Sequence, residues 1–309
     1  MQQLTLYLGA LALTASPLAP APLAAQDAAS EEDDVIFLTP DSVPRRAPVG
    51  PDAVPSLPDS ETLRQRPDSP AGPRSRAAPP SVLVILAHPD DEITIAPVLA
   101  RIVREGGSVT LAFATSGDVG PGVSGMEPGA ELAALREDEA RCSAFALGLP
   151  EPLFWQLGDG QLASMARAPD SRARQLGAKI AALIGELRPE VVMTWGPDGG
   201  YGHADHRMVS NLVTEAVQAM DTSRPELLYP AFPADEGTPE QFAGWAKTHP
   251  SLVTDRIRYE FVDLEATRIA IDCHQSQFGA EERAVLPDLL HRGVWQGQVH
   301  FRLAFPASE

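Results

Sequence analysis

The chain is short of cysteine and of positive charge, and it lacks any long apolar run. Two cysteines in 309 residues exclude a disulfide-built mini-protein. The formal charge is −18, and only Lys179 and Lys247 are lysine among 24 basic residues. So acidic a surface repels phosphate, which excludes a strongly basic nucleic-acid binder. No apolar stretch reaches the roughly 20 residues of a membrane span. What the chain does have is 44% hydrophobic residues, enough for a core, which excludes disorder along its full length.

Its 30 prolines are unevenly spread. Eleven fall between Gln26 and Pro80, together with the acidic run Glu31-Glu32-Asp33-Asp34. That composition predicts an extended, Pro-rich acidic linker over 26–80. Ahead of it, Leu4 to Ala15 is apolar and uncharged, and small residues follow up to Ala25. The length suits the apolar region of a signal peptide, so residues 1–25 are predicted to direct export and to be cleaved near Ala25. The one feature missing from that pattern is a Lys or Arg ahead of the apolar run.

From Ser81 to Glu309 the pattern is that of one α/β domain. Val82 to Ala87 is a continuous apolar run, as expected of a strand buried on both faces of a parallel sheet. Further strands are predicted at 109–114, 152–155, 190–195, 227–229 and 257–262. Helices are predicted at 91–104, 131–147, 171–187, 204–220 and 264–275. Alternating strands and helices of this length predict a Rossmann-like, mostly parallel sheet with helices on both faces. Ligands in such sheets bind at the carboxyl ends of the strands. No GxGxxG follows the first strand, so a dinucleotide site is not supported.

Three strand ends carry the informative residues. His88-Pro89-Asp90-Asp91-Glu92 follows the first, Thr115-Ser116-Gly117-Asp118 the second, and Gly196 to His206, ending GGYGHADH, the strand that closes on Trp195. Acids at 90–92 also suit the first turn of a helix. Two clusters of imidazole and carboxylate, each directly after a buried-strand pattern, are hard to explain by capping and predict a mononuclear metal site. A hydrolytic metal takes about three His or carboxylate ligands and keeps one position open. It lowers the pKa of a bound water, and a spare carboxylate takes that water's proton. The residues alone leave Asp90 and Asp91 interchangeable as ligand and base. Trp155, Trp195, Trp245 and Trp295 are read as packing residues. Cys142 and Cys273 lie in helix patterns, where either a pair or two buried thiols is open.

The two motifs, AHPDDE and GGYGHADH, resemble those of the PIG-L/LmbE-like zinc-dependent N-acetylglucosaminyl deacetylases over roughly Ser81 to Phe278. The resemblance implies His88, Asp91 and His206 as metal ligands and Asp90 as general base. It implies His203 at the oxyanion or leaving amine, with Asp205 as its orienting or charge partner. Tyr201, Arg136, Asp118 and His274 would face substrate. The cofactor would be one Zn²⁺ per chain, with Fe²⁺ or Co²⁺ as alternatives. The substrate would be an N-acetylated amino sugar or glycoconjugate. Three departures from the family stand out: Gly117-Asp118 where Gly-Glu is usual, Arg268 where a late lysine is usual, and the export signal. A metallophosphoesterase and a non-catalytic carbohydrate-binding protein are the rival readings. Residues 81–309 hold 32 acids against 18 bases, which favours a neutral sugar over an anionic polymer.

Overall fold

A computed structural model describes residues 79–164, 166–221, 223–234 and 239–305. The predicted signal peptide and all but the last two residues of the predicted linker lie outside them. The described chain forms one seven-stranded sheet. Its elements run β1 (Ser81–Leu86), α1 (Ala96–Arg104), β2 (Ser108–Phe113), α2 (Ala130–Ala146), β3 (Leu153–Phe154), α3 (Arg172–Leu187), β4 (Val191–Met193), α4 (Ala204–Gln218), β5 (Glu226–Pro230), β6 (Asp255–Arg258), α5 (Phe261–Cys273), α6 (Ala280–Leu289) and β7 (Gln298–Leu303). No helix among the described residues is long and apolar enough to cross a membrane.

The continuous apolar run of β1 is explained by its place in the sheet. Val82, Val84 and Leu86 face one core with α1, α2 and α5. Leu83, Ile85 and Ala87 face the other, with α3 and α4. Both faces are covered, so no polar residue alternates in. Each of the Val, Leu and Ile side chains contributes about 1.5–3 kcal/mol by leaving water.

The strand order is β3-β2-β1-β4-β5-β7-β6. β1 to β5 are mutually parallel, and β7 runs antiparallel to both β5 and β6. The chain moves outward from β1 to β3 and then returns to place β4 on the other side of β1. That reversal opens a crevice at the carboxyl ends of β1 and β4, where such folds bind ligands. The HPDDE segment leaves β1 and the GGYGHADH segment leaves β4 at this point.

Several boundaries differ from those the sequence predicts. The helix predicted from Asp91 begins as a 3-10 turn, Asp91–Thr94, and becomes α1 only at Ala96. Pro97 in the first turn suits a helix start there. The strand predicted over 257–262 ends at Arg258, and α5 starts at Phe261. Glu260 and Asp263 form a reciprocal capping box that fixes that start. The sequence pattern assigns no element to α6, to the π-helical segment Leu290–Trp295 that follows Pro287, or to β7.

Asp263 is buried, and besides the Glu260 amide it accepts two hydrogen bonds from Arg104, at 2.7 and 2.9 Å. This ties the start of α5 to the end of α1. Replacing Asp263 by Ala removes its half of the capping box and both hydrogen bonds to Arg104. A loss of about 2 kcal/mol is expected in urea unfolding; a change below about 0.5 kcal/mol contradicts this account of the α1–α5 contact.

Candidate metal-dependent active site

At the switch point the chain buries an unusual density of ionisable groups. His88, Asp91, Glu92, Asp159, Asp205, His206 and His274 are all buried. Asp91 is held from three sides through Oδ2. It accepts the amides of Ala87 and His88 at 2.9 and 3.0 Å and the indole N–H of Trp195 at 2.9 Å. Its other oxygen, Oδ1, faces His206 Nε2 at 3.1 Å. Burial opposes ionisation of Asp91, but His206, His88 and the indole N–H hold its pKa well below the ordinary carboxylate value.

His206 enters from the first turn of α4. Its Nδ1 donates to the Gly199 carbonyl at 3.1 Å, which leaves Nε2 carrying the lone pair in the neutral ring. That lone pair points at Asp91 Oδ1 and at His88 Nδ1, 3.2 Å away. Trp195 stacks on the ring at 4.4 Å with an interplanar angle of 7° and fixes its plane. Gly200 is required for this packing, because a Cβ there would meet the Trp195 ring at 2.8 Å and φ is +72°.

Two imidazole nitrogens and a carboxylate oxygen thus converge; when both rings are neutral and His88 carries its proton on Nε2, towards Asp159, acceptor faces acceptor. Such a cluster is repulsive unless a proton or a metal cation lies between. Metal–ligand bonds of 2.0–2.1 Å in a tetrahedron put ligand atoms roughly 3.3 Å apart. The observed 3.1 and 3.2 Å fit that spacing on two edges, while His88 Nδ1 lies 4.0 Å from Asp91 Oδ2. On its far side His88 Nε2 lies 2.9 Å from Asp159 Oδ1 and 3.5 Å from Asp205 Oδ2. Among the described residues, His88 Nε2 and Asp159 Oδ1 have no other partner than this ion-pair contact and the Asp205 carboxylate. Burial lowers the His88 pKa, yet these carboxylates raise it well above its ordinary value. A carboxylate behind a ligating imidazole fixes the ring and raises its basicity.

Asp90 stands apart from Asp91. Its backbone is left-handed, with φ 103°, a conformation that costs a non-glycine residue about 1–3 kcal/mol. Its amide donates to Glu92 Oε2 at 3.0 Å, and its carboxylate pairs with Arg136 at 3.3 Å with the side chain one-fifth exposed. Burial raises its pKa to about 6; Arg136 and His274 oppose the rise, and Asp91 and Glu92 add to it. His203 caps α4, its Nδ1 accepting the Asp205 amide at 3.2 Å, so the neutral ring carries its proton on Nε2. The His203 ring lies 4.7 Å from the rings of both His88 and His206. Tyr201 is 41% exposed and meets His206 edge-on at 5.2 Å.

Four of the residues that the family resemblance singles out make contacts within the chain that the resemblance does not imply. Arg136 is expected to reach substrate. It is buried, and its guanidinium donates to the carbonyls of Pro89, Gly117 and Gly120 at 2.7, 3.0 and 3.2 Å. It locks the β2–α2 loop to the HPDDE loop and steadies Asp90. Gly117 permits this, since a Cβ there would lie 2.3 Å from the guanidinium. His274 is also expected at substrate, but it is fully buried and donates from Nε2 to Glu92 at 2.6 Å. Asp118 accepts the Asp159 amide at 2.9 Å and so shapes the loop after β3. Asp205 is linked to His203 by its backbone amide, while its carboxylate accepts the Gly160 and Leu162 amides and approaches His88.

Two site residues escape the sequence reading. Trp195, read as packing, also binds Asp91. Asp159 has no flanking motif, and its only signal is its position in Gly158-Asp159-Gly160 shortly after a strand end.

Residues 83–217 match the model of the family described as "PIG-L: GlcNAc-PI de-N-acetylase". A 1D-myo-inositol 2-acetamido-2-deoxy-alpha-D-glucopyranoside deacetylase from Rhodococcus jostii is 35% identical over 196 residues. That alignment covers 57% of this chain and 64% of the relative's length. Among solved structures, N,N'-diacetylchitobiose deacetylase from Pyrococcus horikoshii has a TM-score of 0.53 at 20% identity, covering 72% of this chain and 83% of that one. The 4-carboxy-2-hydroxymuconate hydratase GalB from Pseudomonas putida also has a TM-score of 0.53, at 18% identity, covering 74% and 98%. The fold thus supports more than one chemistry, and the activity must be argued from the site.

The Trp195 contacts make one expectation specific. Trp195→Phe keeps most of the stacking on His206 and removes the hydrogen bond to Asp91. Metal affinity, read by competition with a chelator, is expected to fall about tenfold. Unchanged affinity removes Trp195 from the support of the site.

Proposed function

We propose that this PIG-L-family domain is a metal-dependent hydrolase that removes the N-acetyl group from an N-acetylglucosamine-type sugar or glycoconjugate. The observation that carries the reading is the acceptor cluster of His88 Nδ1, Asp91 Oδ1 and His206 Nε2, with Asp90 beside it on a separate wall. His88, Asp91 and His206 would hold the metal. Two imidazoles and a carboxylate suit Zn²⁺, and Fe²⁺ or Co²⁺ fit the same donors. A bound divalent metal supplies Lewis acidity and a more acidic water.

The remaining roles belong to the chain. Asp90, held by Arg136 and raised to about 6, takes a proton from the attacking water at its carboxylate. The Nε2–H of His203 donates to the oxyanion that forms on the acetyl carbonyl. Asp90 then returns its proton to the leaving nitrogen. A C–O bond forms, the C–N bond breaks, and acetate and a free amine are released. Tyr201, beside His206 and backed by Trp245 at 5.5 Å, offers an aromatic face for the sugar. The acid surplus of the domain favours a neutral sugar over an anionic polymer.

Export is part of the same proposal. It is supported by the apolar segment at Leu4 to Ala15 and by a disulfide between Cys142 and Cys273. Disulfides persist in oxidising compartments and are rare in the cytosol.

A two-metal phosphoesterase is the second reading. It is favoured by one observation, the further group His88, Asp159 and Asp205 on the other side of the same imidazole. That reading needs two metals per chain and phosphate release.

The expected result is about one metal per chain by elemental analysis. Amine release from a panel of N-acetylated sugars should be lost with chelator and restored by Zn²⁺. Asp90→Ala should lower kcat by at least a hundredfold while the metal content holds. An active, metal-free protein would overturn the proposal.

A further inference from the structure

The Cys142–Cys273 bond lies next to the machinery that holds Asp90. Cys142 is in α2 and Cys273 ends α5, with Cα atoms 5.8 Å apart. The residue after each cysteine binds Glu92. Ser143 donates from Oγ to Glu92 Oε1 at 2.6 Å, and His274 donates from Nε2 to the same oxygen at 2.6 Å. The second oxygen of Glu92 accepts the Asp90 amide at 3.0 Å. All three residues of this relay, Ser143, His274 and Glu92, are fully buried. Asp90 itself sits in a left-handed conformation that must be held by its surroundings.

We propose that the Cys142–Cys273 disulfide is a positioning element for the reaction. It fixes the separation of Ser143 and His274, hence the position of Glu92, and through the Asp90 amide the aim of the Asp90 carboxylate. The inference rests on the reading of Asp90 as the base. Loop fixation elsewhere supports the same wall: Ser276 binds Glu139 of α2 through its amide and hydroxyl at 2.7 and 2.6 Å, so α2 and the turn after α5 stay joined when the disulfide opens. Loss of the disulfide therefore loosens the Glu92 relay without unfolding the domain. Cys142 is exposed and Cys273 buried, so a soluble reductant would approach the bond from the Cys142 side.

The test uses the full chain with metal bound. Dithiothreitol reduces the disulfide to two thiols and is itself oxidised to its cyclic disulfide. The two freed thiols are counted by titration. On reduction, kcat for amine release is expected to fall about tenfold, while KM, metal per chain and the circular dichroism spectrum hold. Reoxidation restores kcat. The Cys142→Ser/Cys273→Ser double variant should match the reduced protein and be insensitive to dithiothreitol. Ser143→Ala in the oxidised protein should lower kcat similarly, and combining it with the double variant should add little, as for residues that act in one unit.

Hydrogen exchange gives a readout independent of turnover. The Asp90 amide should lose protection on reduction, while β4 and α4 keep theirs. An unchanged kcat and an unchanged Asp90 amide, with both thiols freed, overturn the proposal. So does a loss of kcat that comes with loss of metal or of folded structure, which makes the bond a general staple. If the oxidised protein releases no amine but the Asp90 amide responds to reduction, the deacetylase reading fails and the coupling stands.

Discussion

A carboxylate taken out of water must be compensated, and the geometry of this domain is organised around that demand. Asp91, Glu92, Asp159 and Asp205 are all buried at the carboxyl ends of the central strands. Each is met by partners at short range: Asp91 by three N–H groups, Glu92 by His274 and Ser143, Asp205 by two loop amides, and Asp159 by the His88 ring. In the gap between His88, Asp91 and His206, neutral rings leave lone pairs facing one another at 3.1 and 3.2 Å. A metal cation in that gap would compensate the lone pairs and supply hydrolytic chemistry at the same place.

The same compensation separates two adjacent acids that the sequence leaves equivalent. Asp91 turns inward, to three donors and His206. Asp90, one residue earlier, takes a left-handed backbone and turns towards Arg136 and the open side of the crevice. The difference arises from groups far away in sequence. Arg136 comes from α2, and Glu92 is held by Ser143 and His274 from α2 and the end of α5. Neighbouring acids thus acquire separate roles because different helices claim them.

Much of this is legible in the sequence where a local pattern carries it. The apolar run of β1 announces a doubly covered strand, and the two His/Asp motifs announce the switch point. The role of Asp118 as a brace for the β3 loop is not legible, because its partner is the Asp159 amide, 41 residues away. Arg136 and His274 are assigned to substrate by resemblance, yet burial commits them to carbonyls and to Glu92. Burial by distant elements has no signature in a local motif. Trp195 looks like a packing residue because it is one; its second role depends on the register that sets β4 beside β1. The boundary at Phe261 was fixed by a capping box of acids with no Ser or Thr, and β7 by pairing to strands far away in sequence. The sequence leaves the two cysteines either paired or free; the packing of α2 on α5 brings them together.

The central claim is that the acceptor gap between His88, Asp91 and His206 is a metal site. The most direct measurement is anomalous diffraction at the zinc edge from crystals of the zinc-loaded protein. The account predicts a single peak among His88 Nδ1, Asp91 Oδ1 and His206 Nε2. A peak seated instead between His88 Nε2, Asp159 and Asp205, or no peak in either place, would contradict it.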